Sequence, residues 1–218
     1  MTIKEFMRQL DQMVQSALER IETKSSAGSP AQEITISKLL GLALKNELEA
    51  SEEAALWLID EKDIQVKLGL ARQCGDEAKH YKLIEKRLRE LNVDTAQLNP
   101  LAEGYGPMFS YLKSLTTTAE RLAAGQFTRE ALAQVRNQVF IQYCEEQGDH
   151  ETAKLYREVI QPDEKFHHEL GRQLLPRFVE TEEQQKLAWA AAEKTLQLAE
   201  ELQEIARLKK GICRAPGC

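Results

Sequence analysis

Glu77-Ala78-Lys79-His80 and Glu164-Lys165-Phe166-His167 are the most informative stretches of this 218-residue chain. Residues three apart on a helix are neighbours on one face, so each stretch sets a carboxylate beside an imidazole. The chain has only 4 His, and two of them stand in this pattern. Whether the pairs face solvent or the interior depends on the sequence around them.

Around the first pair the apolar positions Leu70, Cys74, Tyr81, Ile84, Leu88 and Leu91 recur at helical spacing, with Glu77 interrupting the stripe. This predicts a helix from the polar turn Asp60-Glu61-Lys62-Asp63 to about Leu91. The preceding helix ends near Ile59. Its stripe reads Ile36, Leu40, Ala43, Glu47, Ala50, Ala54 and Leu58, again with one acid. Ser29 as N-cap, Pro30 at the first helical position and Gln32 three residues on predict its start. The short turn makes the two helices antiparallel neighbours. Glu47 and Glu77 are each about 15 residues, or roughly 22 Å at 1.5 Å per residue, from that turn. They therefore lie at one height.

The second pair has a similar setting. Helical pattern resumes near Met108 and runs to Gln147, with a bend expected at Gly125. Gly148 and Asp149 supply a stop and a new N-cap. The helix carrying Glu164 and His167 runs towards Leu175, with Pro162 expected to bend or break it because its ring removes a hydrogen bond to the Glu158 carbonyl. Glu130 lies 34 residues before Glu164. Mirror symmetry about Gly148 and Asp149 points instead to Gln134, one turn away on the same face.

The non-periodic stretch 92–107 is long enough for a crossover between two helical hairpins. A capping box at Thr2 and Glu5 opens an N-terminal helix from Ile3 to about Thr23. Thr181 with Gln184 caps a last helix, with a stripe of Leu187, Ala191, Thr195, Leu198, Leu202, Ile205 and Leu208, that closes at Gly211. The tail Ile212 to Cys218 reads as flexible. The expected architecture is all-α: a core bundle over about 30–176 in a single domain 1–211, with one helix before the core and one after.

Composition agrees. Hydrophobic residues are 42% and charged residues 29%, with 11 Gly and 6 Pro, as in a helix-rich globular chain. A net charge of -6 without a basic block disfavours nucleic acid. Apolar runs fall short of the roughly 20 residues of a membrane span. Met1-Thr2-Ile3-Lys4-Glu5 does not open a secretory signal, which makes cytoplasmic residence the expectation. Cys74, Cys144, Cys213 and Cys218 form neither a disulfide framework nor a CxxC pair.

One Glu from each of two helices, with Glu-x-x-His from each of two others, resembles the ligand pattern of the ferritin-like di-iron carboxylate proteins, among them bacterioferritins, rubrerythrins and bacterial multicomponent oxygenases. The resemblance spans about 30–176. It implies an antiparallel four-helix bundle in which Glu47, Glu77, His80, Glu130, Glu164 and His167 ligate two metal ions, with Glu77 and Glu164 suited to bridging. Carboxylates with two imidazoles and no thiolate suit Fe or Mn. The implied activity is oxidoreductase chemistry on dioxygen or hydrogen peroxide, with a small-molecule substrate the sequence does not identify. With no Cys-ligated iron domain, electrons would come from an external reductase. Iron storage of bacterioferritin type and a metal-free helical interaction module are the alternatives. The added terminal helices favour a monomer or homodimer over a shell. His168, Tyr81, Tyr143, Tyr156 and Cys74 are further residues to place.

Overall fold

A computed structural model describes residues 1–26 and 34–217. Among the described residues the chain is helical, without strands. Helix α1 (Ile3–Ser26) runs one turn further than expected and buries Phe6, Leu10, Val14, Ala17, Leu18 and Ile21. Ser29, Pro30 and Gln32 lie outside the described residues. Helix α2 (Ile36–Asp60) nevertheless begins later than they would place it, because Thr35 is extended and its side chain accepts the Lys38 N–H as N-cap.

Asp63 caps α3 (Ile64–Glu90) by accepting from the amides of Gln65 and Val66. Buried Glu61 fastens the α2–α3 turn, accepting from Lys62 N and Asp63 N on one oxygen and from Thr118 Oγ1 at 2.8 Å on the other. The two helices pack along each other as an antiparallel pair. Asn92, with φ 62°, ends α3 in the left-handed region, and Val93 N returns to Leu88 O. The connection to α4 (Pro107–Lys113) follows the side of α2. Lys45 donates to Gly104 O, Gly106 N to Glu49 Oε1 and Tyr105 Oη to Glu52.

The helix expected to run unbroken from Met108 to Gln147 is interrupted at 114–117. Thr117 and Glu120 form a capping box that starts a new helix, α5 (Thr118–Arg121). It passes without a break through a π-helical segment, Leu122–Arg129, into α6 (Glu130–Glu146). Gly125 lies within this wide segment. A Cβ there would stand 2.7 Å from the Trp57 ring, so glycine is what lets the segment sit against α2.

Gly148 (φ 77°) closes α6, and Asp149 caps α7 (His150–Leu155). Pro162 does not break the helix that follows. A second π-helical turn, Tyr156–Ile160, comes just before it, with Gln161 N–H reaching back to Tyr156 O, and α8 (Gln161–Leu174) continues past the proline. The wider turn lies directly before the residue that lacks an amide. Gly171 of α8 meets the first π segment backbone to backbone, and a Cβ on it would lie 2.7 Å from Phe127 N.

The Thr181–Gln184 capping box opens α9 (Glu182–Lys210), which ends at left-handed Gly211. Its buried face is rotated from the expected one. Leu187, Ile205 and Leu208 are exposed, while Ala188, Ala191, Ala192, Thr195, Leu196 and Ala199 are buried. Small alanines let α9 lie close on the first π segment and α5, so the interior takes them in preference to the bulkier stripe. The tail 212–217 has no regular secondary structure, but it is docked rather than loose. Ile212 is buried, Asn46 Nδ2 donates to Pro216 O, and Gly217 N donates to Asn137 Oδ1 at 2.8 Å. No described helix is long and apolar enough to cross a membrane.

Two substitutions test this packing. Gly171→Ala should destabilise the protein by about 1–3 kcal/mol, read as a lowered urea midpoint, because the methyl meets backbone that cannot swing aside. Asp149→Ala removes a cap that accepts from Thr152 N and Arg87 Nη2. It should cost about 1–2 kcal/mol at neutral pH. Burial would raise the Asp149 carboxyl, but the Thr152 and Arg87 hydrogen bonds outweigh it and hold the carboxyl low. Its contribution is therefore present above the ordinary carboxylate range and fades as pH falls through the lowered value. The gap between variant and wild type should narrow in acid.

Candidate metal centre

Glu47 comes from the middle of α2, and Glu77 and His80 from the middle of α3. Glu130 comes from the first turn of α6, and Glu164 and His167 from α8. All six are buried, the histidines completely. Their side chains form two overlapping groups. Glu47, Glu77, His80 and Glu164 make one; Glu77, Glu130, Glu164 and His167 make the other. Within each group, one ligand-type atom per residue lies within 4.8 Å of the rest. Glu77 and Glu164 belong to both.

His80 Nδ1 lies 3.1 Å from Glu77 Oε2 and 3.3 Å from Glu47 Oε2. His167 Nδ1 lies 3.5 Å from Glu77 Oε1, 3.7 Å from Glu130 Oε2 and 3.8 Å from Glu164 Oε2. Donors about 2.1 Å from a common cation stand roughly 3–4 Å from one another, so these spacings suit an ion at the centre of each group. His167 Nδ1 is a buried nitrogen without a hydrogen-bond partner, facing three carboxylate oxygens. A nitrogen so placed has an evident use for its lone pair.

The opposite ring nitrogens are held from outside. His80 Nε2 pairs with Asp163 Oδ2 at 3.0 Å, and His167 Nε2 with Asp76 Oδ2 at 3.3 Å. Each aspartate immediately precedes the glutamate of one motif and braces the histidine of the other. Arg72 and Lys79 pair with both aspartates. The brace keeps a proton on Nε2 and turns Nδ1 inward.

Burial would lower both histidines, but the neighbouring carboxylates overcome it. Glu47 and Glu77 push His80 up to about 11, and Asp76, Glu130 and Glu164 raise His167 as well. Burial lifts Glu47 to about 7. Burial and the charges of Glu77 and Glu130 raise Glu164 well above the usual range. Glu130 is held low despite its burial, by Glu164 beside it and by the positive charge of His167. A raised Glu164 beside a lowered Glu130 fits one proton held between them on the Glu164 side.

Gln134, the alternative to Glu130, turns away from this centre. Its amide donates to Glu130 O, and α8 presents Gln161 to it, through a bond from Gln161 Nε2 to Gln134 O. His168 donates Nδ1–H to Phe127 O at 2.8 Å and takes no part in the two groups. Tyr143 Oη donates to Ile34 O, Tyr81 is half-buried, and Cys74 sits beside Ser51. Tyr156 is fully buried with no partner for its hydroxyl, and after burial itself, the charge of Glu47 is what raises it most.

Several residues here escaped the sequence reading. Asp76 and Asp163 had a visible signal, since an Asp precedes the Glu of both motifs. Gln73, Gln126 and the buried pair of Glu53 and Arg129, 3.1 Å apart, had none, because their partners lie on distant helices. Burial raises Glu53 to about 7 in spite of Arg129.

No protein-family model, curated protein or solved structure matches the chain.

Glu164→Gln tests the proton sharing. Burial and the neighbouring carboxylates push the Glu164 carboxyl up towards its neutral form, so the amide should leave the melting temperature in chelator unchanged or higher, as read by circular dichroism. A fall of more than a few degrees would mean that the carboxylate is ionised and structurally paired.

Proposed function

We propose that the protein is a di-metal carboxylate oxidoreductase of the ferritin-like type, holding two iron or manganese ions. One ion would be held by Glu47, Glu77, His80 and Glu164, the other by Glu77, Glu130, Glu164 and His167. The observation that carries this reading is the overlap of the two buried groups on Glu77 and Glu164, which places a potentially bridging carboxylate on either side of an ion pair. In this reading α2, α3, the rod from α5 to α6, and the α7–α8 rod are the four helices of the bundle.

The donor chemistry fits divalent cations. Four glutamates bring four negative charges, which two such ions balance, and oxygen-rich sites with imidazole and no thiolate favour iron or manganese over structural zinc. Bound there, the ions would supply Lewis acidity and redox equivalents for the activation of dioxygen or hydrogen peroxide. The chain's own residues set the surroundings. Asp76 and Asp163 hold the protons on the two Nε2 atoms, and Arg72 and Lys79 keep those aspartates ionised. Leu40, Ala43, Ile84, Phe140, Tyr156 and Ile160 form an apolar body beside the Glu47 side, where water would otherwise compete. Electrons would come from an external reductase.

Protein stripped of metal and reloaded with Fe(II) under argon should retain close to two ions per chain after desalting, measured by plasma mass spectrometry. It should then consume dioxygen when given a chemical reductant. Replacing Glu77 and His80 together by Ala should abolish retention. Wild-type protein that keeps no iron and no manganese would defeat the proposal.

A further inference from the structure

The two oxygens of Glu130 face different surroundings. Oε2 lies towards His167 Nδ1, inside the second group. Oε1 accepts a hydrogen bond of 2.7 Å from Gln73 Nε2. Gln73 Oε1 in turn accepts one of 2.8 Å from Gln126 Nε2. Both amides are buried, at 2% and 1% exposure. Chemistry fixes the direction of this relay. A carboxylate oxygen only accepts, so Gln73 must offer it the NH2 end, and its carbonyl end must then meet the NH2 of Gln126.

We propose that Gln73 and Gln126 are positioning residues, a two-amide clamp that makes Glu130 a one-oxygen ligand and so makes the two cation positions inequivalent. The clamp rests on the di-metal reading above. The fold builds it deliberately. Gln73 sits one turn before Glu77 on the same face of α3, which brings its amide to the level of the cluster. Gln126 belongs to the first π-helical segment, where the wider turn aims it across at α3. Gly171 holds that segment in place, since a Cβ there would come within 2.9 Å of Gln126 Cβ. The relay ends at Gln126 Oε1, which is buried and has no partner.

Glu47, the counterpart of Glu130 on the other side, has no such restraint. Among the described residues no Gln or Asn hydrogen-bonds to it, and its close polar neighbours are His80, Glu77 and Glu164. Neither oxygen of Glu47 is held by an amide, so nothing of this kind restricts it to one oxygen. Glu130, with Oε1 engaged, offers Oε2. Outer hydrogen bonds of this kind typically govern ligand affinity by about 10- to 100-fold.

The test is an anaerobic titration of the full-length, metal-stripped protein with Co(II), followed by its visible absorption bands and by calorimetry. Wild type should fill two positions. Gln73→Met, which keeps the volume and loses the amide, should weaken one step by about 10- to 100-fold and change its bands while leaving the other step as it was. Gln126→Met should act in the same direction but less, and the double variant should be no worse than Gln73→Met alone, because the two amides act in series. In a Glu47→Gln background, the single remaining step should be the one that Gln73→Met weakens. Variants that titrate like wild type, or that lose both steps equally, overturn the clamp. Wild-type protein that takes up no cobalt overturns the di-metal reading instead, and the clamp with it.

Discussion

Four glutamates meeting in a dry interior set the terms for everything around them. Five pairs among them fall within one or other of the two groups. At an effective dielectric constant of about 20, each ionised pair some 4 Å apart costs about 4 kcal/mol. The sum, on the order of 20 kcal/mol, exceeds the roughly 5–15 kcal/mol by which whole domains are stable. The four cannot all be charged unless positive charge stands among them. Imidazolium rings and shared protons supply it in one state, and two divalent cations would supply it in the other. A fold that keeps these residues buried must accommodate at least the first.

Helix geometry shows how the side chains are brought to one place. Glu47, Glu77 and His80 come from α2 and α3, which are regular throughout. Glu130 and Glu164 both follow π-helical segments, Leu122–Arg129 and Tyr156–Ile160. A π turn inserts residues without ending the helix and so rotates everything after it about the axis. The rotation costs hydrogen-bond geometry, and neighbours such as Gly125 and Gly171 make room for the wider turns. The irregular half of the molecule is thus the half that re-aims its carboxylates, while the regular α2–α3 pair acts as a fixed wall.

The contrast between local and distant information explains what could be read beforehand. Glu47 and Glu77 stood out because each broke an apolar stripe, a property of a single helix. The histidines stood out because Glu-x-x-His is a local spacing. Choosing Glu130 over Gln134 was a question of height between two rods, and counting from Gly148 could not answer it, since the structure sets Gln161 opposite Gln134. The break at 114–117 is written locally, as Thr117-x-x-Glu120, but apolar periodicity runs across it and masks it. The docking of the tail was not written locally at all. It depends on Asn46 and Asn137, which are distant in sequence and come together only once the helices pack.

The outer layer around the two groups is ordered without an ion. A hydrogen bond from His167 holds the Asp76 carboxyl low, with Arg72 adding to it, and Lys79 and His80 do the same for Asp163 against its burial. Arg72 is fixed in turn, its guanidinium 3.3 Å from the centre of the Phe166 ring. Both aspartates are therefore anionic and correctly placed in the ion-free protein, so each histidine already has its Nε2 proton held and its Nδ1 pointing inward. A cation bound there would displace protons from the Nδ1 side of the rings and from the carboxylates. Side chains that need not be reoriented on binding do not lose conformational entropy a second time. The fold has already supplied that ordering through Phe166, Arg72 and Lys79, residues that would touch no ion.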